Sequence, residues 1–273
     1  MSFLSRLESK ALVLVDRMKW RPFVVAPVLL LVHSAPMICL AEDGYANRLD
    51  LERYRQAAHD RWQDDIAELG ARDASESYPD DAVLFIGSSS IRLWSDIAAD
   101  MQPYPVIQRG YGGAKWSDVA IFIDQLVRPH SCCAVVFFVG NDISGCDDDK
   151  SPREIMQLFA HVLGRVREHN AIAPVFYVAV TPTRSRWSVW PQIRQGNSLV
   201  RDYCQRQPNL HFIDTESIFL DERGEPRVEL FLDDELHLNR EGYTCWASAI
   251  KSQLDTVFNG AGHIEQVKRR DAP

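Results

Sequence analysis

Two stretches of this chain place chemically able side chains at spacings that chemistry could use. The first is Gly87-Ser88-Ser89-Ser90, a run of hydroxyls directly after an apolar segment. A serine there would be held by a strand, lifted clear of the sheet by the glycine turn, and flanked by the unpaired N–H groups of the next helix. That is the setting a nucleophilic hydroxyl needs. A Ser-rich turn after a strand more often caps the following helix, and this stretch taken alone favours that role. The second is Asp234-Glu235-Leu236-His237. Three residues apart on one turn, Asp234 and His237 share a face. The carboxylate can accept from imidazole Nδ1 and fix the tautomer, leaving Nε2 free to take a proton from a serine. A lone histidine is more often structural, but His237 has a carboxylate at this spacing and sits in the loop before the last helix.

The elements around these stretches decide whether they can meet. Apolar runs at Ala82–Ile86, Val106-Ile107, Ala134–Val139, Pro174–Val180 and Leu210–Ile213 read as strands. Helical patterns separate them: Ser95–Asp100, Ser117–Val127, Pro152–Glu168 and Asn197–Gln205, with a last helix from about Arg240 to Val257. The strands are apolar throughout rather than alternating, which predicts a parallel sheet covered on both faces. Sites in such sheets form beyond the carboxyl ends of the strands. The first three strands end in Gly87-Ser88-Ser89, in the loop Gly110-Tyr111-Gly112-Gly113, and in Gly140-Asn141-Asp142. All three ends should converge on one crevice. Three glycines within four residues mean a tight turn or a close approach of backbone to something else. Before the first strand, Leu51, Tyr54, Ala58, Trp62, Ile66 and Leu69 mark an amphipathic helix with a heavily charged outer face.

With these blocks in order, the chain resembles an SGNH hydrolase of the GDSL esterase/lipase superfamily over roughly Leu51 to Val257. Gly87-Ser88-Ser89, Gly110-Tyr111-Gly112-Gly113, Gly140-Asn141-Asp142 and Asp234–His237 match its Ser, Gly, Asn and His blocks. The resemblance implies an α/β fold: a three-layer α/β/α sandwich with a five-stranded parallel sheet, flavodoxin-like. It implies Ser89 as nucleophile, His237 as base with Asp234 as partner, and an oxyanion hole from the Ser89 N–H, the Gly113 N–H and the Asn141 amide. It implies no cofactor and no metal. The chain departs from the family pattern at Val139, where Gly is usual two before the Asn, and at Gln108, where Asn is common.

The expected activity is a serine esterase that hydrolyses acyl or acetyl esters through an acyl-enzyme on Ser89. The substrate would be a small-molecule, lipid or carbohydrate ester. Two alternatives stand beside it: an O-acyltransferase passing the acyl group to a carbohydrate hydroxyl, and a non-catalytic envelope carbohydrate-binding protein that keeps the fold. The second would be expected to have lost Ser, Asn or His, and none is lost. Trp187 and Trp190 follow a strand end and are open between lining an acyl or sugar pocket and packing as a lid. Ser88 and Ser90 read as turn and cap residues, Asp118 as capping or packing its helix, and Asp147-Asp148-Asp149 as a solvated loop rather than a cation site.

The rest of the chain bounds this reading. Its 273 residues are 46% hydrophobic and 25% charged, with a net charge of -8. That balance argues against nucleic acid as a partner, which needs clustered Lys and Arg. Residues 1–21 carry five basic side chains against two acidic ones, and residues 23–41 carry no Asp, Glu, Lys or Arg. Such a pattern predicts a signal peptide or signal anchor over 1–41, membrane association through 23–41, and a domain that is exported (periplasmic or extracellular) or anchored outside the cytoplasm. The expected partition continues with the amphipathic helix and connection at 42–81, the hydrolase domain at 82–258, and a disordered tail at 259–273. Six cysteines form no CxxC pair; packing is the expected role of Cys132 and Cys133 at the start of an apolar strand, and a Cys204–Cys245 bridge is open in an oxidising compartment.

Overall fold

The apolar runs become one five-stranded sheet in which every neighbouring pair is parallel. The computed structural model describes residues 49–270. They belong to the second of two units, Met1–Asp43 and Gly44–Pro273. The export segment expected over 1–41 lies outside the described residues. No helix among the described residues is long and apolar enough to cross a membrane.

In chain order the elements are α1 (Glu52–Ser75), β1 (Val83–Gly87), α2 (Ser89–Arg92), α3 (Ile97–Asp100), β2 (Val106–Gly110), α4 (Trp116–Val127), β3 (Ala134–Phe138) and α5 (Pro152–His169). There follow β4 (Val175–Val178), a 3-10 turn at Arg184–Val189, α6 (Trp190–Arg206), β5 (Leu210–Ile213), α7 (Glu216–Phe219), a 3-10 turn at Val228–Leu230, and α8 (Arg240–Arg270). The strand order is β2-β1-β3-β4-β5. Successive residues along a strand point to opposite buried faces. Leu84, Ile86, Val135 and Phe137 pack with α1, α4, α5 and α6, and Val83, Phe85, Val136 and Phe176 pack with α8. Both faces are covered, which is why the inner strands β1, β3 and β4 are buried at every position, while the edge strands β2 and β5 carry Gln108, Arg109 and His211. The chain is a three-layer α/β/α sandwich.

Three helix assignments differ from those read off the sequence. Helix α6 begins at Trp190, seven residues before Asn197, because Pro191 falls in its first turn, where a missing N–H costs nothing. The single helix expected over Ser95–Asp100 is instead two short pieces, α2 and α3. Helix α8 continues past Val257 to Arg270, into the segment expected as a tail. Cys204 and Cys245 are both free. They lie on opposite faces of the sheet, Cys204 in the core under α6 and Cys245 against the α8 side, so no bridge can join them.

Helix α1 is anchored through one stripe. Ala58, Trp62, Ile66 and Leu69 enter the same core as β1 and β3. A buried ion pair adds to this: Arg109 of β2, with no exposed side-chain surface, donates from Nε to Asp73 Oδ1 at 2.8 Å. Breaking one partner of a buried pair leaves an uncompensated charge, so α1 is tied to the sheet by charge as well as by apolar area.

Candidate active site

Gly87 and Gly110 sit level at the ends of β1 and β2, with Phe138 level at the end of β3. A Cβ on Gly87 would stand 2.1 Å from the Phe138 carbonyl oxygen, so only glycine lets β1 and β3 approach this closely before the turn. Ser88 N–H donates to that same carbonyl at 3.0 Å. The three serines then separate. Ser88 (1% exposed) and Ser90 (8%) are buried, and Ser89 between them is partly open. Ser88 occupies the N-cap position of α2 without a side-chain cap bond, so the capping role suggested by the stretch alone is not made. Gln108, where the family often has Asn, donates to the carbonyls of Ile91 at 2.6 Å and Trp94 at 3.1 Å, bracing the turn that follows Ser89.

Ser89 Oγ lies 2.9 Å from His237 Nε2. His237 Nδ1 lies 2.6 Å from Asp234 Oδ2. The pair is held by an Asx-type turn rather than by a helix. Asp234 Oδ1 accepts from the backbone N–H of Leu236 at 3.0 Å and of His237 at 2.9 Å, while Glu235 takes φ of +53°. The loop closes through Leu232 N–H to His237 O at 2.8 Å. Burial pushes the Asp234 carboxyl up, but the imidazole and the two backbone N–H groups outweigh it and hold the carboxyl below its ordinary range. Asp234 is 47% exposed and His237 22%. With Nδ1 donating to the carboxylate, Nε2 is left as an acceptor facing the Ser89 hydroxyl.

The opposite wall is built from three elements. Gly112 has φ of +29°, and a Cβ there would stand 2.0 Å from the Trp62 ring of α1. The turn is therefore pressed against α1, which sets where Gly113 lies. No protein acceptor among the described residues takes the N–H of Ser89 or of Gly113. Asn141, just past β3, donates from Nδ2 to Ala114 O at 3.2 Å, and that Nδ2 is 3.9 Å from the point where a Cβ on Gly113 would stand. Its Oδ1 accepts from Arg186 Nη2 at 2.7 Å. Asp142 accepts from the Trp116 N–H at the start of α4 and faces Lys150 Nζ at 3.5 Å. Burial pushes the Asp142 carboxyl up to about 6, against the lowering effect of Lys150 and the Trp116 N–H.

Ser89, Asn141 and His237 line one crevice, together with Phe138, Val180, Arg186, Phe231 and Leu236. Trp187 and Trp190 do not line it. They stack on each other, with ring centroids 6.1 Å apart at 13°, and pack on the core of the α1–α4–α5–α6 face. Asp118 caps α4 as expected, accepting from Lys115 N–H at 2.8 Å. The acidic triplet is more ordered than a solvated loop: Asp149 accepts from the N–H of Ser144 and Gly145 and from the Ser144 hydroxyl. Among the described residues no group of three or more His, Cys, Asp or Glu could hold a metal ion. Sequence reasoning missed Arg186 and the Trp62–Gly112 contact. Arg186 carries no motif, and Trp62 reads as an ordinary core position.

The pattern of residues is matched by relatives. Residues 64–245 match the model of the GDSL-like Lipase/Acylhydrolase family. No curated protein matches the chain in sequence. Among solved structures, a Streptococcus pneumonia protein superposes with a TM-score of 0.63 at 16% identity, covering 75% of this chain and 96% of its own. A GDSL-like lipase from Bacteroides thetaiotaomicron gives 0.61 at 16%, covering 70% and 98%. A carbohydrate esterase family 3 structure from Talaromyces cellulolyticus gives 0.51 at 17%, covering 66% and 99%. At these identities the likeness is one of fold. The family match spans two thirds of the chain and includes the Ser89 and Asn141 blocks and the Asp234–His237 loop, so the chain belongs to the GDSL-like Lipase/Acylhydrolase family of ester hydrolases.

Proposed function

We propose that this protein is a serine esterase in which Ser89 is the nucleophile, His237 the general base and Asp234 its orienting partner. The observation that carries the reading is the continuous chain Asp234–His237–Ser89, with steps of 2.6 Å and 2.9 Å. A serine hydroxyl is a weak nucleophile until a positioned base removes its proton. His237 Nε2 takes the Ser89 proton as Oγ attacks the ester carbonyl. The imidazolium that forms is stabilised by Asp234 and returns the proton to the leaving alcohol. An acyl-enzyme on Ser89 remains, and a water activated by the same base releases the acid. The acyl oxygen becomes anionic at each tetrahedral stage. The Ser89 and Gly113 N–H groups and the Asn141 amide are the donors for it, each worth about 3 kcal/mol when aimed at the oxyanion.

The substrate is an ester of a small molecule or a lipid. Acyl and acetyl esters both fit the reading. Residues 1–41 are read as an export signal or anchor, on the strength of their basic flank and uncharged run.

The test is hydrolysis of a short p-nitrophenyl ester by the wild type and by Ser89→Ala. A loss of about 10⁶-fold in kcat is expected for removal of a triad nucleophile. Equal rates would sink the assignment. Fluorophosphonate labelling followed by peptide mapping should mark Ser89, and modification at Ser88 or Ser90 would misplace the nucleophile.

A further inference from the structure

Arg186 lies in the 3-10 turn Arg184–Val189, at the residue where the backbone leaves helical geometry (φ -116°, ψ 19°). Its guanidinium is mostly buried and lines the crevice that holds Ser89. Both of its hydrogen bonds go to the segment after β3: Nη1 donates to the Gly140 carbonyl and Nη2 to Asn141 Oδ1 at 2.7 Å. Neither acceptor is a carboxylate. Asp142 and Asp149 act on it only through space, and each is engaged elsewhere, Asp142 with Lys150 and Asp149 with the Ser144–Gly145 turn.

This arrangement is costly if it serves stability alone. A buried guanidinium is normally offset by a carboxylate, which also cancels its field. Here the acceptors are neutral, so no carboxylate contacts the guanidinium on the wall where an anion would form. The bond also has a direction. An asparagine amide turned over would set its N–H groups against the guanidinium N–H groups, so the Oδ1 end is held on Arg186 and the Nδ2 end faces Ala114 and Gly113. A cation on the amide oxygen draws electrons from the nitrogen and strengthens its N–H as a donor.

We propose that Arg186 is a positioning residue for the ester hydrolysis assigned above: it fixes the orientation of the Asn141 amide and polarises it toward the acyl oxygen. The proposal rests on that reading of Asn141 as an oxyanion donor. Arg186 acts through Asn141 rather than by its own contact with substrate.

The experiment is a double-mutant cycle on a short p-nitrophenyl ester, reading kcat and KM for wild type, Arg186→Ala, Asn141→Ala and the double variant. Asn141→Ala should lower kcat about 100–1000-fold, and Arg186→Ala about 10–100-fold, with KM changed less than about threefold. In the Asn141→Ala background, Arg186→Ala should cost less than about twofold, because the amide it acts on is gone. Guanidinium chloride at millimolar concentration should restore part of the Arg186→Ala rate and none of the double variant's. The same fold loss in both backgrounds, or no loss in Arg186→Ala, would overturn the proposal while leaving Asn141 as a donor. A wild-type rate in Asn141→Ala would remove the donor itself, and the proposal with it. If Arg186→Ala does not fold, Arg186→Lys carries the same cycle, with a loss in kcat that vanishes when Asn141 is absent.

Discussion

In the proposed mechanism the base side of the site is made by four consecutive residues, whereas the acyl-oxygen side is assembled from separate elements. Asp234 to His237 orient themselves: the Asp234 carboxylate takes two backbone N–H groups and the imidazole of its own loop. That side is partly open to solvent, and the bonds that orient Asp234 and His237 span no more than three residues, although the loop is closed by Leu232 N–H to His237 O and takes one distant bond, from Ser185 N–H to the Glu235 carbonyl. On the other side, Gly113 is set by a turn pressed against Trp62 of α1, and Asn141 is set by Arg186 from the turn after β4. Partners there are separated by tens of residues in the chain and are buried or half-buried. The difference teaches that a tautomer can be fixed locally, but a point in space at which three donors meet cannot. The position of the proposed oxyanion is therefore a tertiary property.

The largest test of this contrast falls on the base side. Asp234→Asn keeps the shape of the turn but offers an amide to Nδ1, so the wrong tautomer faces Ser89, and kcat should fall by about 10⁴-fold. Because the loop is local and exposed, its thermal unfolding midpoint should stay close to that of the wild type. A large loss of stability would show that the base side is not self-contained.

Next in size is the acyl-oxygen side. Gly112→Ala places a methyl against the Trp62 ring at a positive φ. Either the ring or the turn must move, so both properties should change together. Stability should drop by about 1–3 kcal/mol and kcat by up to about 100-fold for a displacement near 1 Å. The downfield imidazole proton resonance of the His237–Asp234 bond should stay in place. If that resonance shifts as much as it does in Asp234→Asn, the two sides are coupled and the contrast fails.

The smallest expected effect is a pH dependence. Asp142 has its carboxyl raised to about 6 by burial, from an ordinary value of 3.8. A raised group binds its proton more tightly folded than unfolded. Its contribution is therefore full below about pH 4 and is lost as pH rises through about 6. Thermal unfolding of wild type and Asp142→Asn between pH 4 and 7 should show the wild type losing more stability across that range. Parallel curves would mean that Lys150 and the Trp116 N–H compensate the buried charge fully. Asp234, whose carboxyl is held low, contributes in the opposite sense, losing its share only as pH falls through its folded value.

Much of this could be read from residue order. The five strands, their parallel sense and the convergence of three strand ends follow from apolar runs that alternate with helical patterns. The Asp234/His237 pair was legible from a spacing of three, although an Asx turn rather than a helical face makes the contact. Ser89 is picked out from Ser88 and Ser90 by its place in the Gly87-Ser88-Ser89 block that resembles the family's serine block, since local chemistry alone does not separate three hydroxyls on one turn; burial leaves Ser89 partly open while both neighbours are buried. Trp187 and Trp190 are ambiguous in the sequence because aromatic rings suit a pocket or a core equally; packing buries Trp190 in the core and lays Trp187 against it.

What the sequence alone determined is the local chemistry and the periodicity: which groups can exchange a proton, and where strands end. Those depend on neighbours within a few residues. The crossing of α1 onto the Gly112 turn and the grip of Arg186 on Asn141 were decided only in the tertiary structure. Each depends on a distance between residues far apart in the chain, and such a distance is set by how the layers pack rather than by any pattern along one segment.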